Sequence, residues 1–260
     1  MLFRAGRYAI RVCGPDVPAS RVQAENDIVA ALEIAGVPCI IVLGTVAVDG
    51  HTATVIPWLE SVRPATWADV GRLAAAMHRV AAPPATPRFD MLGVTRGRLT
   101  RLRTEQAATP AELEAAAALQ RAETTCERAE QFAARSPRLV HGDLTPGNVL
   151  VTEAGPTLHD FENSGAGHPA RDLLRPWHGA VRFAGRGAEA AVEFETAYRA
   201  AGGASVDREL LRELYCGIDV VGAVWCLAGR ALDPVRFTAE AGVRMTTLEQ
   251  PSGVPTWSAL

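Results

Sequence analysis

RLVHGDLTPGNVLVTEAGPTLHDFENSGAGHPARDLL, residues 138 to 174, is the stretch on which the reading of this chain turns. It holds His141-Gly142-Asp143, then Asn148 five residues past that aspartate, then Asp160-Phe161-Glu162, then Asp172. Val149 to Thr152 and Thr157 to Phe161 are apolar or β-branched runs. The turn formers Glu153-Ala154-Gly155-Pro156 lie between them, so the pair predicts a β-hairpin. Paired across that turn, Asn148 falls opposite Phe161 and Asp160 opposite Val149. Both polar residues then arrive at the same end of the hairpin, with Asp143 just upstream on a loop. An aspartate, an asparagine and a second aspartate at these intervals suit phosphoryl transfer from a magnesium nucleotide. One carboxylate orients a hydroxyl, while an amide oxygen and another carboxylate hold the metal that bridges the phosphates.

The spaced elements H-G-D-x-x-x-x-N, an apolar strand, D-F-x and a further Asp resemble the catalytic core of the aminoglycoside phosphotransferase family. These kinase-like enzymes also include choline, homoserine and macrolide kinases. The resemblance implies an α+β, bilobal protein-kinase-like fold. A short N-lobe of sheet plus helix, residues 1–57, would bind the nucleotide. A mainly helical C-lobe, residues 58–260, would carry catalysis and the acceptor. By the same resemblance Asp143 is catalytic, Asn148 and Asp160 are metal ligands, and Asp172 is a buried carboxylate that braces the catalytic loop. The implied cofactors are Mg2+ and ATP or GTP, and the implied partner is a small hydroxylated acceptor.

Upstream, Arg7 to Val12 alternates like a half-buried strand. Ser20 precedes a helix-like run, Arg21 to Ala35, with apolar Val22, Ile28, Val29, Leu32 and Ile34, and Gly36 as its stop. Two strand candidates follow, Cys39 to Val48 and Thr52 to Pro57, joined by the hairpin signal Asp49-Gly50. In this order Arg11 stands where the family has its phosphate-binding lysine, and Glu25 where it has the partnering glutamate. The chain contains no lysine, so all 26 of its Lys and Arg residues are arginine. Arg11 is therefore expected to pair with Glu25 and face the phosphates. Only ten residues precede Arg11, which leaves no room for the first strand and Gly-rich turn of kinase-like folds, so the N-lobe is expected to be truncated at its start, unless the true start lies further upstream or the phosphates are covered differently. Ile56 to Glu60 would be the hinge whose backbone meets the nucleobase. Trp58 reads equally as a wall of the purine pocket or as a core aromatic.

Beyond the hinge, Trp67 to Val80, Ala111 to Arg135, Ala188 to Ala201 and Asp207 to Leu232 read as helices. His78, in a segment like the family's L-x-x-L-H element, is expected to pack or cap. Arg96, Arg98, Arg101 and Arg103 read as a solvated helix flank or an anion contact. Glu162, Glu195 and Asp219 read as recognition groups for a cationic amine or as internally paired acids. The residues from Gln250 onward read as a loose tail. Composition is that of an ordinary globular protein, with 48% hydrophobic and 21% charged residues. A net charge of -3 gives no reason to expect nucleic acid, and no apolar run is long enough for a membrane span. Five scattered cysteines without a C-x-x-C pair read as free thiols in a reducing cytoplasm.

Three other chemistries compete. His159-Asp160 could be the metal pair of an HD-type phosphohydrolase, but that pair belongs on a helix and here it ends a hairpin. A pseudokinase, a nucleotide-binding or interaction module without catalysis, is favoured by the missing lysine and Gly-rich turn, and opposed by the intact Asp143, Asn148 and Asp160. A third reading keeps the chemistry but acts on Ser or Thr of a natural-product peptide. The sequence has no G-x-S-x-G elbow, Walker loop or Rossmann glycine pattern.

Overall fold

The computed structural model describes residues 1–14, 17–105, 109–135, 137–182, 187–205, 207–230 and 233–249. The expected tail from Gln250 lies outside these residues. The chain divides into two compact units. The first comprises Met1–Phe89, Pro137–Asp172 and Glu193–Ser205, and the second Asp90–Ser136, Leu173–Val192 and Val206–Leu260. The division expected at Pro57 and Trp58 falls inside the first unit.

The first unit opens with β1 (Leu2–Ala5) and β2 (Tyr8–Val12), followed by α1 (Ala19–Ile34), β3 (Gly44–Val48) and β4 (His51–Pro57). The four strands form one antiparallel sheet in the order β1-β2-β4-β3. β1 corrects the expectation that no first strand fits ahead of the Arg11 strand, while the turn behind it is only Gly6-Arg7. Gly6-Arg7 turns the chain tightly enough that Leu2 pairs with Arg11 and Ala5 with Tyr8. Asp49 and Gly50 both have positive φ, 49° and 78°, as a two-residue turn between twisted strands requires. The expected strand from Cys39 is split. Cys39 bridges Leu158, and regular pairing with β4 begins only at Gly44.

α1 starts at Ala19 behind Pro18 and has no side-chain cap, so Ser20 lies within its first turn. Val22, Ile28, Val29 and Leu32 share its buried face with one charged residue, Glu25. Ile34, two positions past Leu32, is turned to the opposite side and is exposed. The helix stops at Gly36: Gly36 N–H donates to Glu33 O and Val37 N–H to Leu32 O, both at 2.9 Å. This pattern satisfies two otherwise orphaned carbonyls.

The rest of the first unit surrounds two small ladders. β5 (Arg138–Val140) pairs with β8 (Gly165–Gly167), and β6 (Val149–Thr152) with β7 (Gly155–Leu158). α2 (Trp67–Met77) is fixed by a reciprocal cap in which Thr66 and Asp69 each accept from the other's backbone N–H. Asp69 is fully buried and also receives Arg63 at 2.7 and 3.1 Å and Arg72 at 2.6 Å. The hydrogen bond from Arg63 draws its carboxyl far below the usual range, against the opposing effect of burial. Leu139, Leu144 and Leu158 are fully shielded, each worth about 1.5–3 kcal/mol of burial.

The second unit is helical: α3 (Met91–Glu105), α4 (Pro110–Arg135), most of α5 (Ala170–Arg182), the start of α6 (Ala188–Ala200), α7 (Arg208–Gly229) and α8 (Pro234–Glu249). Asp207 caps α7 by accepting from the N–H groups of Glu209 and Leu210. α7 packs against α3, α4 and α8, burying Val220, Ala223, Val224, Cys226 and Leu227. Among the described residues no helix is long and apolar enough to cross a membrane.

Candidate active site

The loop carrying Asp143 is built on a buried carboxylate. Asp172 is fully buried and accepts hydrogen bonds from the backbone N–H groups of His141 and Gly142, both at 2.8 Å. A third comes from His78 Nε2 at 3.0 Å, and His78 Nδ1 in turn lies 3.1 Å from the Tyr198 hydroxyl. Burial would push the Asp172 carboxyl up, but the hydrogen bond and charge of His78, the charge of His141 and the His141 N–H hold it below its ordinary value. Burial, and the neighbouring Asp172, push the Tyr198 hydroxyl up to about 12. His78 thus packs as expected, and it also tethers α2 to the loop. Gly142 follows with φ +80°, and a Cβ there would collide with the Asn163 carbonyl and the Phe89 ring. Glycine is required at this position for both conformation and space.

After Asp143, Pro146–Asn148 forms a 3-10 turn behind Thr145 that brings Asn148 back. Asn148 Nδ2 donates to Asp143 O at 2.7 Å and to Asp143 Oδ2 at 3.2 Å. The β6–β7 hairpin is tighter than expected. Thr152 pairs with Gly155 and Val149 with Leu158, so the turn is Glu153-Ala154 alone. Pro156 can enter the strand because β6 and β7 form a two-stranded ladder, in which both strands are edge strands. Asn148 therefore faces His159, whose N–H donates to Asn148 O at 3.1 Å, and not Phe161. The register moves by two residues, an even step that keeps every side chain on its face. Asp160 stays at the Asn148 end.

Asp160 has φ 64° and ψ 65°. Left-handed geometry at a residue other than glycine costs on the order of 1–3 kcal/mol and persists only where neighbours enforce it. Asp49, the other such residue described, is explained by its hairpin turn; Asp160 lies outside any hairpin turn. Phe161 behind it is buried against the His141 ring, 5.2 Å between centroids. His141 Nε2 meets the His159 carbonyl at 2.9 Å, a structural contact. The Asp160 side chain is exposed and makes no hydrogen bond or ion pair with the described residues. His159-Asp160 ends a hairpin and lies on no helix, which removes the HD-type reading. Burial lowers the His159 pKa.

Charged side chains from β2 and α1 gather at the same segment. Arg11 Nη1 donates to Glu25 Oε2 at 2.7 Å, the pairing expected from sequence, and Arg11 Nη2 reaches Glu162 Oε2 at 3.4 Å. Arg21 Nη2 donates to the Glu162 carbonyl, and its Nε lies 3.9 Å from Glu25 Oε1. Glu25 is buried and Arg11 is 31% exposed. Burial raises the Glu162 carboxyl above its usual value; Asp160, Glu25 and Asp143 add to this and Arg11 opposes it.

The profile of the phosphotransferase enzyme family matches residues 3–214. The chain belongs to this family. Its matched span includes every one of Arg11, Glu25, Asp143, Asn148, Asp160 and Asp172. No curated protein sequence matches the chain significantly. Solved structures show the same fold at low identity. A choline/ethanolamine kinase family protein from Mesorhizobium loti has 21% identity, with 98% of this chain and 85% of that chain covered and a TM-score of 0.67. An amicoumacin kinase in complex with AMP-PNP, Ca2+ and its ligand has 12% identity, coverage of 96% and 84%, and a TM-score of 0.69. An aminoglycoside phosphotransferase from Streptomyces rimosus in complex with ADP and streptomycin has 20% identity, coverage of 83% and 87%, and a TM-score of 0.60. The small N-terminal sheet with its helix, followed by a helical remainder, is the protein-kinase-like α+β fold of these phosphotransferases.

Other residues singled out in this phosphotransferase have separate surroundings. Trp58 donates through Nε1 to Glu60 at 2.7 Å and lies under the Arg4 guanidinium at 4.6 Å. Its backbone N–H is taken by Arg7 O at 2.9 Å. None of these partners belongs to the carboxylate group around Asp160. Asp219 is buried in the second unit between Arg182 at 2.8 Å and His178 at 2.9 Å, and Glu195 pairs with Arg199 at 2.9 Å. Both are internally paired acids. Of the four arginines on α3, Arg98 is half-buried and the others are exposed. Cys13 and Cys226 are buried free thiols and Cys39 a half-buried one; the side chains of Cys126 and Cys216 lie outside the described residues. Sequence reasoning missed Arg21, whose only local signal was its place one helical turn before Glu25.

Proposed function

We propose that this chain transfers the terminal phosphoryl group of ATP or GTP to a hydroxyl of a small molecule, an antibiotic or a metabolite. The observation that carries the reading is the bond from Asn148 to Asp143, continued through the Asn148–His159 ladder to Asp160. It gathers the catalytic and ligand candidates at one end of one hairpin. Asp143 would accept the proton of the acceptor hydroxyl as that oxygen bonds to the terminal phosphorus, whose bond to the bridging oxygen breaks to release the nucleoside diphosphate. Arg11, oriented by Glu25, would meet the phosphates, since a guanidinium stays charged and can offer two parallel hydrogen bonds. Residues 1–57, with Trp58 beside them, would receive the nucleotide, and residues 58–260 the acceptor.

The oxygens present fit magnesium. Asn148 uses its amide nitrogen on Asp143, which leaves Oδ1 as its acceptor end, and the Asp160 carboxylate has no protein partner among the described residues. Those residues hold no group of three or more His, Cys, Asp or Glu arranged for a metal. A site of two oxygens suits Mg2+, which keeps waters and shares its shell with phosphates. Bound between Asn148 and Asp160, it would neutralise charge on the transferring group. The AMP-PNP with Ca2+ and the ADP with streptomycin in similar structures support a nucleotide donor and a small acceptor.

The two-residue Gly6-Arg7 turn between β1 and β2 favours a second reading, a nucleotide-binding module without turnover. One experiment separates them: ATP and GTP consumption against aminoglycosides, macrolides, nucleosides, amino alcohols and Ser/Thr peptides. Acceptor-dependent consumption that needs Asp143 supports the transferase. Tight nucleotide binding with no turnover on any acceptor supports the module.

A further inference from the structure

Arg11, Glu25, Arg21 and Glu162 close an alternating ring of charge on β2, α1 and the turn behind Asp160. The two arginines do different work within it. Among the described residues the Arg11 guanidinium pairs only with carboxylate side chains, which can move aside. Arg21 grips the backbone carbonyl of Glu162, two residues past Asp160, while its other edge faces Glu25. With both edges directed at protein, the Arg21 guanidinium is engaged in holding structure.

Asp160 needs holding because its backbone is left-handed without being glycine. On its N-terminal side the His159 N–H is tied to Asn148 O at 3.1 Å. On its C-terminal side Phe161 is buried against His141, and Ser164 N–H closes the turn onto Phe161 O at 3.0 Å. The Glu162 side chain is partly shielded but still more than half exposed, so packing alone does not anchor it. The Arg21 bond is the tie from α1 that fixes this residue. We infer that Arg21 is a positioning residue: it clamps the Glu162 carbonyl and thereby sets the conformation of Asp160 for metal-nucleotide binding. The inference rests on the phosphotransferase reading above.

The test compares wild type with Arg21→Ala and Arg21→Lys in two measurements. The first is hydrogen exchange at Phe161 to Ser164 without nucleotide, with the amides of α1 as the internal control. The second is ATP or GTP binding as a function of magnesium concentration. Arg21→Ala is expected to speed exchange at Glu162 to Ser164 while α1 stays protected. It should raise the magnesium needed for half-maximal binding by about 10–100-fold, the usual scale for a residue that orients a metal ligand, with magnesium-free nucleotide affinity unchanged. Arg21→Lys should recover part of both, because an ammonium can still donate to the carbonyl. Unchanged exchange in Arg21→Ala overturns the clamp. Faster exchange with unchanged magnesium dependence leaves only a structural bond and overturns the role toward Asp160. A wild-type protein that binds no nucleotide under any condition overturns the phosphotransferase reading, and this role with it.

Discussion

The loop from His141 to Asp160 and the ring of Arg11, Glu25, Arg21 and Glu162 are both charged, but they are held in opposite ways. The loop hangs on backbone groups: two N–H donors on Asp172, an amide locked to Asp143, and a ladder bond from His159 to Asn148. Its brace is fully buried. The ring, apart from the Arg21 bond to a carbonyl, is made of long side chains, and Arg11 and Glu162 are 31% and 54% exposed. Backbone bonds around a buried acid have one geometry, whereas side-chain ion pairs near water are weak and can exchange partners. The contrast suits the proposed roles. Under that proposal the loop would be preset for chemistry, and Arg11 would trade Glu162 for a phosphate.

The largest effect is expected from removing the brace. Asp172→Ala strands two buried backbone donors and a buried histidine, and should cost about 3–5 kcal/mol in a urea titration. A loss under about 1 kcal/mol would erase the distinction between a backbone-held loop and a surface ring. Asp143→Asn should keep the fold and nucleotide affinity and lower turnover roughly 10²–10⁴-fold. Full activity on the true acceptor would remove Asp143 from the chemistry. Arg11→Ala should raise the nucleotide KM by roughly tenfold, about 1.4 kcal/mol, within the range of a hydrogen bond to a charged group. Arg11→Lys should restore only part of this, since one ammonium cannot reproduce the planar fork. Wild-type kinetics in both variants would shift the phosphate contact away from β2.

The smallest effect is a difference of sign with pH in the metal-free protein. Asp172 and Asp69 have folded pKa values below their unfolded ones. Their stability contribution is present above about pH 4 and lost as pH falls below it. Glu162 has a folded pKa above its unfolded one. Its contribution is complete below about pH 4.3 and lost as pH rises through the folded value. Glu162→Gln should therefore remove a decline in urea stability just above that pH and leave the acid-side loss intact. An identical pH profile in the variant would mean that partial burial and the neighbouring carboxylates do not hold the Glu162 carboxyl above its usual value.

The hairpin, the Asp49-Gly50 turn, α1 and α7 were legible in the sequence because their signals are local: alternation, turn formers and a helical stripe. So was the grouping of Asp143, Asn148 and Asp160, which depends on one short hairpin and survived a register error of two residues because faces repeat every second residue. What was not legible depends on distance along the chain. His78 meets Asp172 across 94 residues, and Arg21 meets Glu162 across 141. No periodicity encodes such pairs. β1 was missed because a two-residue turn takes less chain than the Gly-rich turn it was measured against.

The most direct test of the central claim needs no acceptor. Calorimetric binding of ATP and GTP, with and without magnesium, should be measured for wild type and Asp160→Ala. Wild type should bind one of the nucleotides in a magnesium-dependent manner, and Asp160→Ala should lose that dependence while remaining folded. Magnesium-dependent binding that survives unchanged in Asp160→Ala would contradict the assignment of this hairpin end as the phosphoryl-transfer site.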